Sequence, residues 1–328
     1  MPVEEGSRGF NRKRSVMWSA ISVIFDRRLV CSAFTVVCPS LLWAQFTDPR
    51  TYDNSPVGIN QLSLGYTYAR ANASIDYSLI IEGAKLNLNV GLLDYTRGVN
   101  FFNRFAWVEA SVPLAGLEGA VNSTTVQGSA IGAGDSSFVF GALLKGGPAL
   151  SLQEFSTFVP STTLGASVTI TAPTGLYNGD KILNLGSDRW SFKPEIAVSH
   201  PFGPDHSWVI DVYGNAYFFT DNTSYHGREI LRQDPLPGLE GHLSYSFSSS
   251  VWASVDTRYS FRGNTLVDGT DQDNSQRNFT LGSEVSVSLS PQHSLLFSFA
   301  RALLHQNGPA YTTFAVKYIY TWGRGVPP

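Results

Sequence analysis

Apolar and polar residues alternate one by one along most of this chain. Between positions 251 and 261 the odd positions are apolar, small or aromatic, and the even positions from 254 to 260 carry charged residues or serine. A side-chain period of two indicates a β-strand with one face in apolar and the other in polar surroundings. We therefore expect Val255 and Tyr259 to contact the apolar medium and Asp256 and Arg258 the polar one.

Eleven further segments alternate in the same way, and strand after strand places ionisable groups on its polar face. The predicted strands are 59–70, 85–96, 105–112, 135–145, 162–172, 190–200, 208–220, 239–248, 251–262, 277–289, 294–304 and 311–322. The links between them alternate in length, with tight turns followed by long polar loops at 71–84, 113–134, 173–189, 221–238 and 263–276. An even strand number and alternating loop lengths are typical of bacterial outer-membrane barrels.

The pattern predicts an all-β fold, a transmembrane up-and-down antiparallel β-barrel of about twelve strands with lipid outside and water inside. A secreted soluble β-sandwich is the alternative, although it gives no reason for loops to alternate in length. One link on the short-turn side, 146–160, is unusually long, and we expect one or two helical turns within 149–155.

The first 44 residues differ in composition from the rest. Basic residues at 12–14 and 27–28 precede a short apolar stretch that ends at Ala44. This arrangement predicts a signal peptide over residues 1–44, cleaved near Ala44, and a single barrel domain over 45–328. The alternative, a transmembrane anchor, needs a longer apolar run. The true start is Met1 or Met17.

Composition narrows the functional classes. Charged residues make up 15% of the chain and the net charge is −3, with no basic block, so nucleic acid is not an expected partner. Both cysteines, Cys31 and Cys38, lie in the predicted leader, which leaves no cysteine for a disulfide or a metal site. We expect no cofactor and no metal. Asp271 and Asp273 suggest a calcium loop, but the Gly and terminal Glu of such loops are missing.

Strand parity identifies candidate lumen-lining residues. On the strand 190–200, Trp190, Phe192, Ile196 and Val198 are assigned to the lipid face, because a charge facing lipid near the midplane costs roughly 2–4 kcal/mol. The candidates for the lumen are Glu109, Lys145, Lys193, Glu195, Asp211, Tyr213, Asn215, Tyr217, Glu240, His242, Asp256, Arg258, Glu284 and Lys317.

Two interpretations of this set remain open. Mixed acids and bases create a transverse field that orients polar solutes in a pore. The same charges can instead pair and close a narrow barrel. Tyr213 and Tyr217 offer rings and hydroxyls to a phenolic solute, or they fill space.

A barrel hydrolase is a further alternative, because His242 and Ser244 share a face and Asp256 lies on the next strand. Such groups catalyse only in a specific geometry, and we expect no enzyme.

Several segments resemble one known family. They are Asn54–Gly58, Pro148–Phe155, the run 165–203, Phe218–Asn222, Gln233–Leu236 and Trp252–Asp256. Together they resemble the outer-membrane "transporter" family named for the meta-pathway of phenol degradation. The resemblance implies a barrel of this size in a Gram-negative bacterium, sometimes linked to breakdown of aromatic compounds, without an agreed substrate.

The sequence thus leads us to expect an outer-membrane channel for small solutes, aromatic ones among them, that works by passive or facilitated diffusion. The alternative is a sealed structural or ligand-binding barrel. Outer-membrane lipid is one expected partner. The second expected partner is the outer-membrane assembly machinery. The aromatic last strand resembles the signal that this machinery reads, with Phe314, Tyr318, Tyr320 and Trp322 on one face.

Overall fold

A computed structural model describes residues 47–72, 84–121, 127–181, 183–324 and 326. The predicted signal peptide and its cleavage point lie outside these ranges. The strands are β1 (Ile59–Asn72), β2 (Ala84–Phe101), β3 (Arg104–Val121), β4 (Gln127–Ala133), β5 (Ser136–Lys145), β6 (Thr163–Ala172), β7 (Ser191–Phe202), β8 (Trp208–Phe219), β9 (Asn222–Tyr225), β10 (Glu229–Gln233), β11 (Leu236–Ser246), β12 (Val251–Arg262), β13 (Thr265–Val267), β14 (Thr270–Asp271), β15 (Gln276–Ser288), β16 (His293–Gln306) and β17 (Ala310–Gly323).

Twelve of these strands close into an antiparallel ring. The order is β1, β2, β3, β5, β6, β7, β8, β11, β12, β15, β16 and β17, and β17 returns to β1. The closing pair runs from Ile59 opposite Gly323 to Asn72 opposite Ala310. Closure leaves no unpaired edge within the ring, which is what a sheet needs in order to cross lipid. The predicted twelve-stranded barrel is confirmed.

The expected loop 113–134 is wrong for most of its length. β3 continues to Val121, and β4 then pairs along it from Ala133 opposite Leu114 to Gln127 opposite Ala120. β5 pairs with the earlier part of β3, so β4 and β5 lie end to end along one neighbour. The two strands thus form one interrupted partner of β3, and β4 continues past the part of β3 that pairs with β5.

Large apolar side chains cover the outside of the ring. Val255 is 57% exposed on β12 and Ile196 is 56% exposed on β7, whereas Asp256 and Arg258 are each 4% exposed. The four outward residues assigned on β7 are all exposed. Side chains this apolar are stable on an outer surface only in contact with lipid, so the exposed belt identifies the ring as membrane-spanning.

On the part of β2 that lies farthest from the turn between β2 and β3, apolar side chains face inward and polar side chains face outward. This is the reverse of the pattern on β7 and β12. Leu86, Leu88 and Val90 point inward and are buried, together with Leu183 and Leu185 from the link 173–190. The residues between them on β2 include Lys85, Asn87 and Asn89, which are exposed. This end of the sheet is built like a soluble protein, with its apolar face covered from within.

The two ends of the barrel differ. At the short-turn end β2 and β3 are joined by Phe102 and Asn103, both with positive φ, as in a tight two-residue hairpin. At the long-loop end the loops 221–238 and 263–276 are not irregular, because β9, β10, β13 and β14 form a small separate sheet there.

The long link on the short-turn side contains one helical turn, α1 (Leu152–Phe155). The Ser151 hydroxyl caps the Glu154 backbone N–H, and the Ser151 N–H donates to the Glu154 carboxylate. The Ser151 N–H and the Ser151 hydroxyl both lie within hydrogen-bond distance of the Glu154 carboxylate as donors, which lowers the pKa of Glu154 below its ordinary value. No helix among the described residues is long and apolar enough to span a bilayer.

Replacement of Val255 by Arg places a charge on the lipid-facing surface of β12. We expect a loss of about 2–4 kcal/mol in the free energy of unfolding, because the guanidinium must be buried in hydrocarbon. Denaturant titration of the protein folded into phospholipid vesicles measures it. The control is Ser249→Arg in the exposed turn before β12, which is expected to change stability little; equal effects at the two positions would contradict the assigned lipid face.

Candidate functional site: the barrel lumen

The chain that precedes β1 lies inside the barrel. We call residues 47–58 the N-terminal segment. At the short-turn end the Val57 N–H donates to the Leu150 carbonyl at 2.8 Å, and the Gly58 N–H donates to the Gly98 carbonyl at 2.9 Å. From there the segment extends into the lumen, where Tyr52 is completely buried.

Tyr52 is the main packing anchor of this segment. Its ring makes edge contacts with Trp107 and Tyr213, at centroid distances of 5.2 and 5.1 Å. A Cβ atom on Gly165 would lie 2.3 Å from the Tyr52 ring, so the ring occupies space that only glycine leaves. The Tyr52 hydroxyl lies 3.0 Å from a Glu195 oxygen, its hydrogen-bond acceptor.

Polar groups of the segment bond to carboxylates of the wall. The backbone N–H of Thr47 donates to Glu240 at 2.8 Å, and the Thr47 hydroxyl donates to Glu195 at 2.9 Å. The backbone N–H of Arg50 donates to Asp211 at 3.1 Å. Two backbone N–H groups and one hydroxyl of the segment thus donate to acidic groups of three neighbouring strands, β7, β8 and β11, which places the segment against one side of the lumen.

The wall that receives the segment carries a paired charge network. The Asn215 amide donates to Glu195 at 2.9 Å and to Glu240 at 2.8 Å. Lys193 lies 3.4 Å from Glu195, and Arg258 donates to Glu240 at 2.9 Å. Each of these four charged side chains is almost fully buried, and mutual pairing offsets the cost of removing the charges from water.

His242 and Asp256 form a second pair on β11 and β12. His242 Nδ1 is 2.8 Å from an Asp256 oxygen, and the other Asp256 oxygen accepts from Ser254 at 2.9 Å. The Ser244 hydroxyl accepts from the Arg50 guanidinium at 2.7 Å instead of bonding to His242. The bond that a Ser/His pair requires between these two side chains is therefore not formed in this conformation, whereas the bond between His242 and Asp256 is.

The opposite side of the lumen is less filled. Lys317 on β17 donates to Asp48 of the N-terminal segment at 3.0 Å. Glu109 on β3 lines two cavities there, and Glu284 on β15 lines a third. Open space therefore remains between the segment and the strands β1, β2, β3 and β17.

The candidate residues fall into three groups by position. Ten are buried on β7, β8, β11 and β12, the strands that form the side of the lumen to which the N-terminal segment binds: Lys193, Glu195, Asp211, Tyr213, Asn215, Tyr217, Glu240, His242, Asp256 and Arg258. Glu109, Glu284 and Lys317 line the cavities opposite. Lys145 is the exception, because a register shift between Leu143 and Lys145 ends the strict alternation, and Lys145 is exposed at the end of β5.

Two elements of the site were missed. The N-terminal segment has no strand periodicity, so its sequence gave no indication that it enters the lumen. Asp94 points inward on β2 and is 6% exposed. Asp94 lies on the same face of β2 as Leu86 and Leu88, and strand parity assigns such an apolar face to lipid. In the structure that face is the inner one, so Asp94 was not recognised as a lumen residue.

The loop residues compared with a calcium site are held by their own hydrogen bonds. The Asp271 carboxylate accepts from the Asn264 amide and from the Asp273 N–H, each at 2.8 Å. In the described ranges no group of three or more His, Cys, Asp and Glu side chains is arranged to hold a metal ion.

Comparison with known proteins identifies a matching family and a solved barrel with a similar fold. The family described as "Putative MetA-pathway of phenol degradation" matches residues 51–318. An outer-membrane channel from Pseudomonas putida F1 is similar in fold, with a TM-score of 0.73 and 23% identity over 84% of this chain and 100% of that one.

Two other solved barrels resemble the chain more distantly. KdgM porin has a TM-score of 0.43 and 10% identity over 79% of this chain and 99% of that one. The CymD monoaromatic hydrocarbon channel has a TM-score of 0.42 and 9% identity over 82% and 89%. Likeness at this level carries no functional argument. No curated relative matches the sequence.

Tyr52→Ala should release the N-terminal segment from the wall. Removal of a fully buried aromatic ring costs on the order of 3 kcal/mol, enough to raise the undocked population more than tenfold. A single cysteine at Thr51 reports this, because the predicted mature chain has no other cysteine. We expect faster maleimide modification of this cysteine in the Tyr52→Ala background. The control is Tyr68→Ala, which removes a half-buried ring on the outer face of β1; an unchanged rate for Tyr52→Ala would contradict the docking role.

Proposed function

This chain belongs to the family described as putative MetA-pathway of phenol degradation, and we propose that it is an outer-membrane channel for small solutes. In the conformation described here, its N-terminal segment narrows the lumen. The observation that carries this proposal is a closed barrel with an apolar exterior and an interior lined by ionisable groups. Such an interior is adapted to water and polar solutes, as in other membrane barrels that enclose a path.

The N-terminal segment supplies a means of gating. The segment is held against the wall by hydrogen bonds to Glu195, Asp211 and Glu240 and by the packing of Tyr52. Each is non-covalent and is made by a chain end rather than by a strand of the ring. The segment can therefore leave the wall without opening the barrel, which would widen the path.

The solute class follows from the family and from one side chain. The family description concerns phenol degradation, which supports aromatic solutes. Trp107 lines both larger cavities and is the aromatic side chain best placed to contact a ring in transit. Tyr213 is completely buried against Tyr52 and His242, so it can contact a solute only after the segment moves.

Export and location are part of the same proposal. We infer that the leader is removed near Ala44, which leaves Gln45 as the first residue of the mature chain. Phe314 and Tyr320 are exposed on β17, which supports recognition of that strand by the assembly machinery. The intact mass of the protein purified from outer membranes tests the cleavage point.

Single-channel recording in planar bilayers with KCl tests the channel itself. We expect a small conductance for the wild-type protein and a larger conductance for Tyr52→Ala, because the released segment widens the lumen. Tyr68→Ala should behave as wild type. If neither the wild-type protein nor Tyr52→Ala conducts ions, and neither admits phenol into protein-loaded vesicles, the sealed structural or ligand-binding barrel is the correct interpretation.

A further inference from the structure

Two cavities meet at a neck beside the N-terminal segment. The larger has a volume of about 300 Å³ and reaches the short-turn end, where Pro56 and Ile59 line it. The smaller, about 140 Å³, extends the other way, toward Asp135 and Lys193. The residues common to both linings define the neck: Asp48, Thr51, Asp94, Trp107, Glu109 and Lys317.

The neck has an excess of negative charge, with three carboxylates and one ammonium. The ammonium of Lys317 is hydrogen-bonded to Asp48 at 3.0 Å, so these two groups largely neutralise each other. Asp94 and Glu109 remain as further carboxylates in the electrostatic surroundings of Lys317. Asp94 is 6% exposed, and its carboxylate faces the cavities instead of a hydrogen-bonding partner among the described residues.

The basic groups of the opposite wall do not offset this excess. Lys193 and Arg258 are paired with Glu195 and Glu240, and His242 is paired with Asp256. Charges are thus segregated in the lumen. Each basic side chain of the β7–β12 wall has an acidic partner on that wall, so none of them is left to offset the acids of the open side.

A third cavity beside Asp48 provides an independent observation. It has a volume of about 70 Å³, and His242 and Glu284 both line it. His242 is 2% exposed, and its Nε2 atom has no hydrogen-bond partner among the described residues. The same is true of one Glu284 oxygen. As a carboxylate, Glu284 only accepts hydrogen bonds, so its unpartnered oxygen favours a ligand that donates protons or carries positive charge.

We propose that the neck makes this channel selective for small monovalent cations, with Asp94 and Glu109 as the residues that determine selectivity. This inference rests on the proposed channel function. A cation that passes the neck gains attraction from carboxylates within low-dielectric walls, whereas an anion is repelled by the same groups. Lys317 supplies a fixed positive charge that keeps the site from holding a cation too tightly to release it.

The test is the reversal potential across a bilayer in a KCl gradient. Wild-type protein should prefer K⁺ to Cl⁻. Asp94→Asn and Glu109→Gln, which keep the shape of each side chain, should each lower the K⁺/Cl⁻ permeability ratio by roughly three- to tenfold. The matched control is Glu118→Gln, which neutralises an exposed carboxylate on β3 and should leave the ratio unchanged.

Each variant is measured alone and together with Tyr52→Ala, so that the neck is tested with the N-terminal segment docked and released. If the K⁺/Cl⁻ permeability ratio stays at the wild-type value in both backgrounds while the conductance is unchanged, the proposed cation selectivity of the neck is wrong. The proposed channel function is then unaffected. Absence of current in every background overturns the channel itself. Circular dichroism and heat-modifiable migration on gels establish that each variant has folded.

Discussion

The structure depends on one constraint, which is that an acidic group inside a barrel must find a partner. Glu195 and Glu240 lie on nearby strands with almost no exposure, and burial of an unpaired carboxylate costs several kcal/mol. Asn215 bridges the two, Lys193 and Arg258 neutralise them, and Thr47 supplies two further hydrogen bonds. The wall strands alone leave these carboxylates incompletely satisfied. The N-terminal segment docks where those acceptors remain.

That constraint explains why the lumen has two unlike halves. The wall from β7 to β12 carries large charged side chains that pair with one another and with the segment, so it is structural. The half lined by β1, β2, β3 and β17 keeps open space, with Asp94 and Glu109 facing it. The two interpretations of the sequence, a selectivity lining and a set of structural pairs, thus apply to different sides of one lumen.

The sequence predicted the features that follow from the contrast between lipid and water. A period of two with a charge on alternate residues assigns Asp256 inward and Val255 outward, because the opposite register costs several kcal/mol. The sequence could not predict features that depend on contact with other parts of the chain inside the barrel, because such contacts involve neither lipid nor water. The inner leucines of β2 are covered by Leu183 and Leu185 from a distant loop, and the register shift before Lys145 is a local irregularity without a sequence signal. The segment from Thr47 to Gly58 lacks any period, so only its partners show where it lies.

Hydrogen–deuterium exchange of the N-terminal segment in lipid nanodiscs tests the central claim most directly. The amides of Thr47 and Arg50 donate to buried carboxylates, and those of Val57 and Gly58 donate to backbone carbonyls. Peptides that cover residues 47–58 should therefore exchange slowly, close to the rate of the neighbouring strand β7 and far below that of the exposed turn 247–250. Exchange of the segment as fast as that turn would show that the lumen is empty and would contradict this account.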